Sequence, residues 1–545
     1  MGGNCVKGLA GSYTAHVDTF ARDNLPPRNQ WPELIFEIPE VRYPDRLNCV
    51  VELLDKMVAA GHEQRAAIRS PAGVRTYGAL LALVNRIAHV LRDDLKLVPG
   101  NRVLLRGPNN PMMAACWLAV VKAGCIAVGT MPLLRVKELK PVIDKARCNA
   151  ALCDVNLREE MELVRAQCPE LGPALYFNSG AADSLDTLAA HKSADFPAVE
   201  TAAEDVCIIA FTSGTTGVPK GTMHFHRDVL AICDCFPRSC LQPVPEDIFC
   251  GTPPLAFTFG LGGLLLFPLR FGASTLLLEK LTPTALLSAI EQYRPTICFT
   301  APTFYRQMAA VAFEYDIASL RKCVSAGEAL PLATRQLWEK ETGIELVDGI
   351  GATELLHIFI SAAGEDIRPG ATGKAIPGYR ACVLDEAGNA LPPGGVGRLA
   401  VKGPTGCRYL ADERQNSYVH DGWNLTGDAY LVDEEGYFWY QARTDDMIIS
   451  AGYNIAGPEV ESALLLHPAV AECGVVGIPD EERGQIVTAF VVLKKDHTPG
   501  AEMVKELQAF VKQTIAPYKY PRAIQFRDAL PRTETGKLQR FKLRA

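Results

Sequence analysis

The sequence predicts an α/β protein of several packed units, and three observations carry that reading. The chain has 545 residues, several times the ~150 of one typical domain. Short apolar runs alternate with helix-length amphipathic stretches over its first two thirds, the pattern of parallel βαβ units. The texture then changes twice, at about Ala371 and again beyond Asp445. With 48% apolar and 21% charged residues the composition is globular and supplies a large core.

After a Pro-rich opening, amphipathic patterns predict helices around Asn48–Ala60 and Tyr77–Asp93. The runs VLLRG at Val103 and CIAVG at Cys125 read as strands, with MMAACWLAVVKAG a helix between them. ALCDV at Ala151, CIIAFTSG at Cys207, STLLLE at Ser274, TICFTAP at Thr296, KCVSAGE at Lys322 and IELVDG at Ile344 are strand-like in turn. The uncharged stretch 251–269 has membrane-spanning length, but Pro253, Pro254, Pro268 and its glycines interrupt it and Arg270 follows at once, so a buried glycine-rich helix with turns is expected. From Ala371, RACVLDEAGN, RLAVKGP and EEGYFWYQAR alternate and are turn-rich, as antiparallel strands are. Beyond Asp445, GPEVESALLLH places Pro458 where a first helical turn tolerates it. The strand-like AECGVVGI and IVTAFVVLKK and a helix at Glu502–Gln513 then complete a separate small α/β domain.

Charge and cysteine usage exclude several classes. With 55 Lys+Arg against 62 Asp+Glu the net charge is -7, and no basic run concentrates positive field, so nucleic acid is not an expected partner. Seventeen cysteines without a CxxC pair read as reduced thiols of a cytoplasmic protein. Cys233, Cys235 and Cys240, with His224 and His226, match no usual zinc spacing, so no zinc site is expected there. The opening MGGNCVKGLAGSYTAH lacks the apolar run of a secretory signal, and Val6 stands where a myristoylation signal needs Ser or Thr. Neither a targeting segment nor membrane attachment is expected.

The most informative stretch is IIAFTSGTTGVPKGTMHFH, in which an apolar strand runs into Thr212, Ser213, Gly214, Thr215, Thr216, Gly217 and, after Val218 and Pro219, Lys220. Glycines free backbone N–H groups to wrap an anion, hydroxyls add donors and the lysine adds charge, so a phosphate loop is the reading. It is not a Walker loop, because the Gly-Lys-Ser/Thr spacing is missing.

TSGTTGVPKG resembles the phosphate-loop signature of the adenylate-forming enzymes, the superfamily of acyl-CoA synthetases, luciferases and adenylation domains. GIGATE at Gly349, WNLTGD at Trp423, ARTDDMIISAGYNIAGPEVE at Ala442 and PRTETGKLQRF at Pro531 resemble further signatures of that family, in its order. The resemblance implies a large N-terminal ATP- and acid-binding domain over residues 1–444, of stacked α/β subdomains plus a β-rich subdomain. It also implies a small mobile C-terminal domain over residues 445–545, carrying the hinge and the catalytic lysine. The activity implied is ATP-dependent, AMP-forming activation of a carboxylic acid followed by thioester formation with CoA.

By motif, the resemblance gives Thr212–Gly217 and Lys220 the β,γ-phosphates, Glu354 a Mg²⁺ ion, and Thr353 the α-phosphate. It gives Asp428 the ribose hydroxyls and Arg443 ribose or phosphate, and sets Lys537 to bridge α-phosphate and carboxylate during attack. Gly327, Glu328, Ala329 and Ile350 fall around adenine, with Ile350 standing where the family usually has Tyr, and Gly351 and Ala352 join the ATP-binding residues. Asp445 falls at the hinge. Gly452 faces the pantetheine arm of CoA, although Ala451 replaces a glycine common in the family, and Arg483, Tyr518, Tyr520 and Arg522 are candidates for the nucleotide end of CoA.

For the acid, motif position nominates Phe236, Phe257, Phe259, Ala326, Ile350, Leu356 and His357, whose flat walls and small Ala326 suit a ring better than a long alkyl chain. AHVDTFARDNLPPRNQWPE and DGIGATELLHIF resemble the 2-aminobenzoate-CoA ligase branch. A benzoate-CoA ligase, or an adenylating protein that loads a carrier-protein thiol, stays open as the alternative.

Overall fold

A computed structural model of the chain describes residues 13–212, 219–444, 446–450, 453–480, 483–532 and 538–544. Its first two thirds are built on two large sheets. One has the strand order Ala174–Phe177, Ala150–Asp154, Arg102–Arg106, Ile126–Thr130, Val206–Thr212, Lys220–Phe225. All its pairs are parallel except the last, which is an antiparallel hairpin. The other has nine strands; its six central ones, including Ile248–Gly251, Ile297–Thr300, Lys322–Ser325 and Leu346–Gly351, run parallel, with antiparallel strands at both edges. One of its crossovers is long: near one edge Ala66–Ser70 pairs in parallel with Ser274–Leu276, with Ile68 opposite Thr275.

The layering follows from the period of two along each strand. Val103 and Leu105 face the central core between the sheets, whereas Leu104 faces an outer core beneath helices Val136–Ala146 and Arg158–Arg165. On the nine-stranded sheet Phe299 faces the same central core, and Cys298 faces a third core beneath helices Pro283–Tyr293, Pro302–Ala309 and Leu332–Thr342. Helix Pro111–Lys122 lies in the central layer and is buried almost all round, as a helix covered on every side must be. Its Lys122 ammonium is neutralised in the interior by Asp55 and hydrogen-bonded to Asn85, both at 2.6 Å. The glycine-rich stretch is buried helix, Thr258–Leu261 through Phe267–Arg270. Gly263 is required there because a Cβ would come within 2.6 Å of the Phe299 ring.

The β-rich part forms a five-stranded antiparallel sheet. The C-terminal part folds on Val470–Asp480, Gly484–Leu493 and Ala523–Phe526, with helices Gly457–Leu465 and Ala501–Thr514 enclosing a core of its own. Arg306 of the large region reaches the Ala471 and Leu465 carbonyls of this part at 3.3 and 3.5 Å. Among the described residues no helix is long and apolar enough to cross a membrane, and the cysteines are free thiols.

One element is absent from the sequence reading: a strand, Lys220–Phe225, precedes the helix His226–Phe236 and pairs antiparallel with Val206–Thr212.

Candidate active site

The hairpin register sets the loop's two ends opposite one another, Thr212 against Lys220. Its outgoing end is fastened at Pro219, whose carbonyl lies 3.5 Å from both the Lys145 ammonium and the Arg414 guanidinium, two cations that Asp412 joins. Ser213, Gly214, Thr215, Thr216 and Gly217 lie outside the described residues, as do Asp445, Gly452 and Lys537.

The segment around Tyr409 pairs with the hairpin. Met223 N–H donates to the Arg408 carbonyl and Leu410 N–H to the Gly221 carbonyl, each at 2.8 Å. The pairing sets the Tyr409 hydroxyl beside both Lys220 and Glu354: it donates to Glu354 Oε1 at 2.5 Å, and Lys220 Nζ approaches it at 3.5 Å. Burial, and then the Glu354 charge, push the Tyr409 phenol well above its usual range, so it stays a donor. The turn Thr353–Leu355 is held from two further sides: His224 Nε2–H donates to the Thr353 carbonyl and the Thr405 hydroxyl to the Leu355 carbonyl, both at 2.8 Å. The turn ends in Leu356, a buried non-glycine residue at φ 71°, a conformation that costs ~1–3 kcal/mol and persists only where the surroundings impose it.

Behind His224 lies an ion pair between fully buried side chains, Arg408 and Asp228 at 2.8 Å. Burial works against the Asp228 charge, yet Arg408 and then His224 hold its carboxyl below the usual range. The same carboxylate accepts the Phe225 N–H at the start of helix His226–Phe236. Asp228→Asn is therefore expected to strand the Arg408 charge in the interior and destabilise the fold by about 3–5 kcal/mol, read as a lower urea midpoint.

Asp428 and Arg443 face each other on paired strands, with Arg443 Nη1 3.2 Å from Asp428 Oδ1. Gly427, adjoining Asp428, adopts φ 77°, a conformation that favours glycine, and a Cβ there would press the Arg443 guanidinium at 2.7 Å. Ile350 and Ala352 lie half-buried against the central core, while Gly327, Ala329 and Gly351 are exposed. A Cβ on Gly351 would come 2.8 Å from the His357 backbone. Glu328 turns toward the C-terminal part, accepting from Thr303 at 2.8 Å and pairing with Arg532 at 3.4 Å; Arg532 also reaches Glu472 at 2.9 Å.

Of the acid-pocket candidates, Phe236 and Phe259 pack against His357. Phe236, Phe259, Phe267 and Phe299 surround its ring with centroids 5.8, 5.7, 4.5 and 6.5 Å away. Ala326 and Leu356 belong to the same core, and Phe257 is half-buried at the start of helix Thr258–Leu261. Burial depresses the His357 imidazole to about 3, so it is neutral at physiological pH. The sign follows: the unfolded chain takes up this proton first, near pH 6.5, so stability is intact above that pH and falls as the pH drops toward 3. His357→Phe is expected to remove that loss, worth about 2 kcal/mol at pH 5, seen as a smaller gap between urea midpoints at pH 7 and pH 5.

The CoA candidates do not join this constellation. Within the C-terminal part, half-buried Arg483 bonds Ser450 at 3.4 Å, half-buried Arg522 lies 4.8 Å over the Tyr520 ring, and exposed Tyr518 pairs with exposed Tyr453 at 4.7 Å. Tyr409, Phe267 and Phe299 are not among the sequence candidates, and His224 enters them only in a zinc reading that its spacing rules out. Each sits in an ordinary apolar or strand-like string and acquires its place through contacts with distant segments.

Residues 56–409 match the model of the AMP-binding enzyme family and residues 459–537 that of the AMP-binding enzyme C-terminal domain. The chain belongs to the AMP-binding enzyme family. It is 36% identical over 93% of its length to the benzoate–CoA ligase of Thauera aromatica, of which it covers 97%. It superposes on the crystal structure of the anthranilate CoA ligase AuaEII in complex with anthranoyl-AMP with a TM-score of 0.89 at 33% identity, covering 93% of this chain and 98% of that one. For a benzoate CoA ligase from Burkholderia xenovorans LB400 the TM-score is 0.84 at 31% identity, covering 92% and 100%. Within the family it is an AMP-forming acid–CoA ligase.

Proposed function

We propose that the enzyme activates a small aromatic acid, 2-aminobenzoate foremost, as its acyl-adenylate and passes the acyl group to CoA. The observation that carries the aromatic reading is the ring of four phenylalanines around neutral His357, three residues after Glu354. Likeness to the anthranilate CoA ligase favours the ortho-amino acid, and the identity with the benzoate–CoA ligase keeps benzoate as the second reading.

In the first half-reaction a carboxylate oxygen attacks the α-phosphorus of ATP, the Pα–O–Pβ bond breaks and pyrophosphate leaves. In the second the CoA thiolate attacks the acyl carbon and AMP leaves. Such steps depend on neutralising charge more than on covalent help. Lys220 and the loop from Thr212 to Gly217 would take the β,γ-phosphates, Thr353 and Lys537 the α-phosphate, and Asp428 with Arg443 the ribose. Ile350 and the residues from Gly327 to Ala329 would border adenine. The oxygen chemistry of Glu354, one half-buried carboxylate beside the phosphate lysine, fits Mg²⁺, a hard cation that shares its ligands between carboxylate and phosphate. When bound, it would supply charge neutralisation on the phosphates.

Pivoting at Asp445, between residues 1–444 and 445–545, would exchange Lys537 for the CoA channel at Gly452. Arg483, Tyr518, Tyr520 and Arg522 would then receive the nucleotide end. Buried free thiols suit a reducing cytoplasm. The test is pyrophosphate release over a panel of substituted benzoates and alkanoates, with and without CoA. Activity with 2-aminobenzoate and benzoate is expected, and octanoate turnover equal to theirs would defeat the aromatic reading.

A further inference from the structure

We propose that Tyr409 is a positioning residue of the adenylating half-reaction, its hydroxyl standing between Glu354 and Lys220 so that the carboxylate is aimed while the two opposite charges are kept apart. The inference rests on reading Glu354 as the Mg²⁺ carboxylate and Lys220 as the phosphate cation.

Tyr409 is placed rigidly. Its segment is paired to the hairpin strand by backbone hydrogen bonds on both sides, its own N–H donates to Gln415 at 2.9 Å, and its ring is 1% exposed. The phenol has one proton, given to Glu354 Oε1, and its oxygen accepts from Lys220. A carboxylate offers about four lone-pair sites, so one bond fixes the direction of Glu354 and leaves oxygen sites for a cation. The spacing matters as much as the aim. A half-buried ammonium and carboxylate that both reach one hydroxyl are near enough, and attract strongly enough, to form a direct pair once it is removed. Closure would fill the space where phosphate oxygens and a metal ion must enter. The phenol oxygen satisfies both charges through a neutral intermediary and holds that space open.

The test compares Tyr409→Phe and Glu354→Gln with the parent enzyme, using Mn²⁺ as an EPR-visible probe in the presence of a non-hydrolysable ATP analogue. Tyr409→Phe, which keeps the ring, is expected to weaken Mn²⁺ binding roughly tenfold to hundredfold, the scale of one hydrogen bond to a charged group. Its KM for the metal–ATP complex is expected to rise, with thioester formation from pre-made acyl-AMP retained. Adding Lys220→Met to Tyr409→Phe is expected to recover Mn²⁺ binding at saturating analogue, because nothing is left to trap Glu354. Glu354→Gln should weaken Mn²⁺ binding on either view. Loss in Glu354→Gln but parental binding in Tyr409→Phe would overturn the role of Tyr409 alone. Parental binding in both would overturn the reading of Glu354 and this inference with it. A Tyr409→Phe defect that Lys220→Met does not relieve would overturn the spacing argument.

Discussion

Replacing Lys537 by alanine is expected to lower carboxylate-dependent pyrophosphate release by a factor of roughly 10²–10³, the usual toll of removing a group aimed at charge developing in the transition state. Lys537 lies in the PRTETGK string, for which the family resemblance supplies the role: a cation that meets the α-phosphate and the attacking carboxylate in the first half-reaction only. Thioester formation from pre-made acyl-AMP is therefore expected to survive within a small factor. Equal loss of both half-reactions, in a variant whose thermal midpoint matches the parent's, would sink the division of labour.

Ala326→Leu is expected to reduce kcat/KM for 2-aminobenzoate about tenfold to hundredfold. Ala326 is 4% exposed, follows the strand Lys322–Ser325, and shares the central core with Phe236, Phe299 and Leu356. Three added carbons in such walls cost about 1–3 kcal/mol in strain. The ATP KM should move little by comparison. Unchanged kinetics across the benzoate panel would place the acid elsewhere.

Much of the architecture was legible because each strand of a covered sheet announces itself locally. VLLRG, ALCDV and TICFTAP are short apolar runs that need no distant partner to be recognised, and all three are strands. Asp428 and Arg443 were found as separate motifs, and the antiparallel register unites them. KGTMHF carries no alternation to read, because it continues the glycine-rich stretch and every residue after Lys220 is buried, in part by residues 408–410 on its far edge. Tyr409 could not be seen for the same reason: its meaning comes from two residues 55 and 189 positions away. A signature is read within one string, whereas a residue placed by contacts with distant segments leaves none.

The parallel pairing of Ala66–Ser70 with Ser274–Leu276 also has a bearing on synthesis. The partners are separated by about two hundred residues, a stretch that at roughly 5–20 residues per second takes on the order of 10–40 seconds to translate. The six-stranded sheet lies wholly inside that interval, so it can close on the ribosome while the Ala66–Ser70 strand, paired on one side in a local hairpin with Gly73–Thr76, still waits with its other edge uncovered. A nascent chain arrested short of Ser274 is thus expected to expose a β edge to chaperones and to other nascent chains, and one arrested well past Leu276 to have withdrawn it. Protease sensitivity of the two arrested chains around residues 66–76 would read the difference.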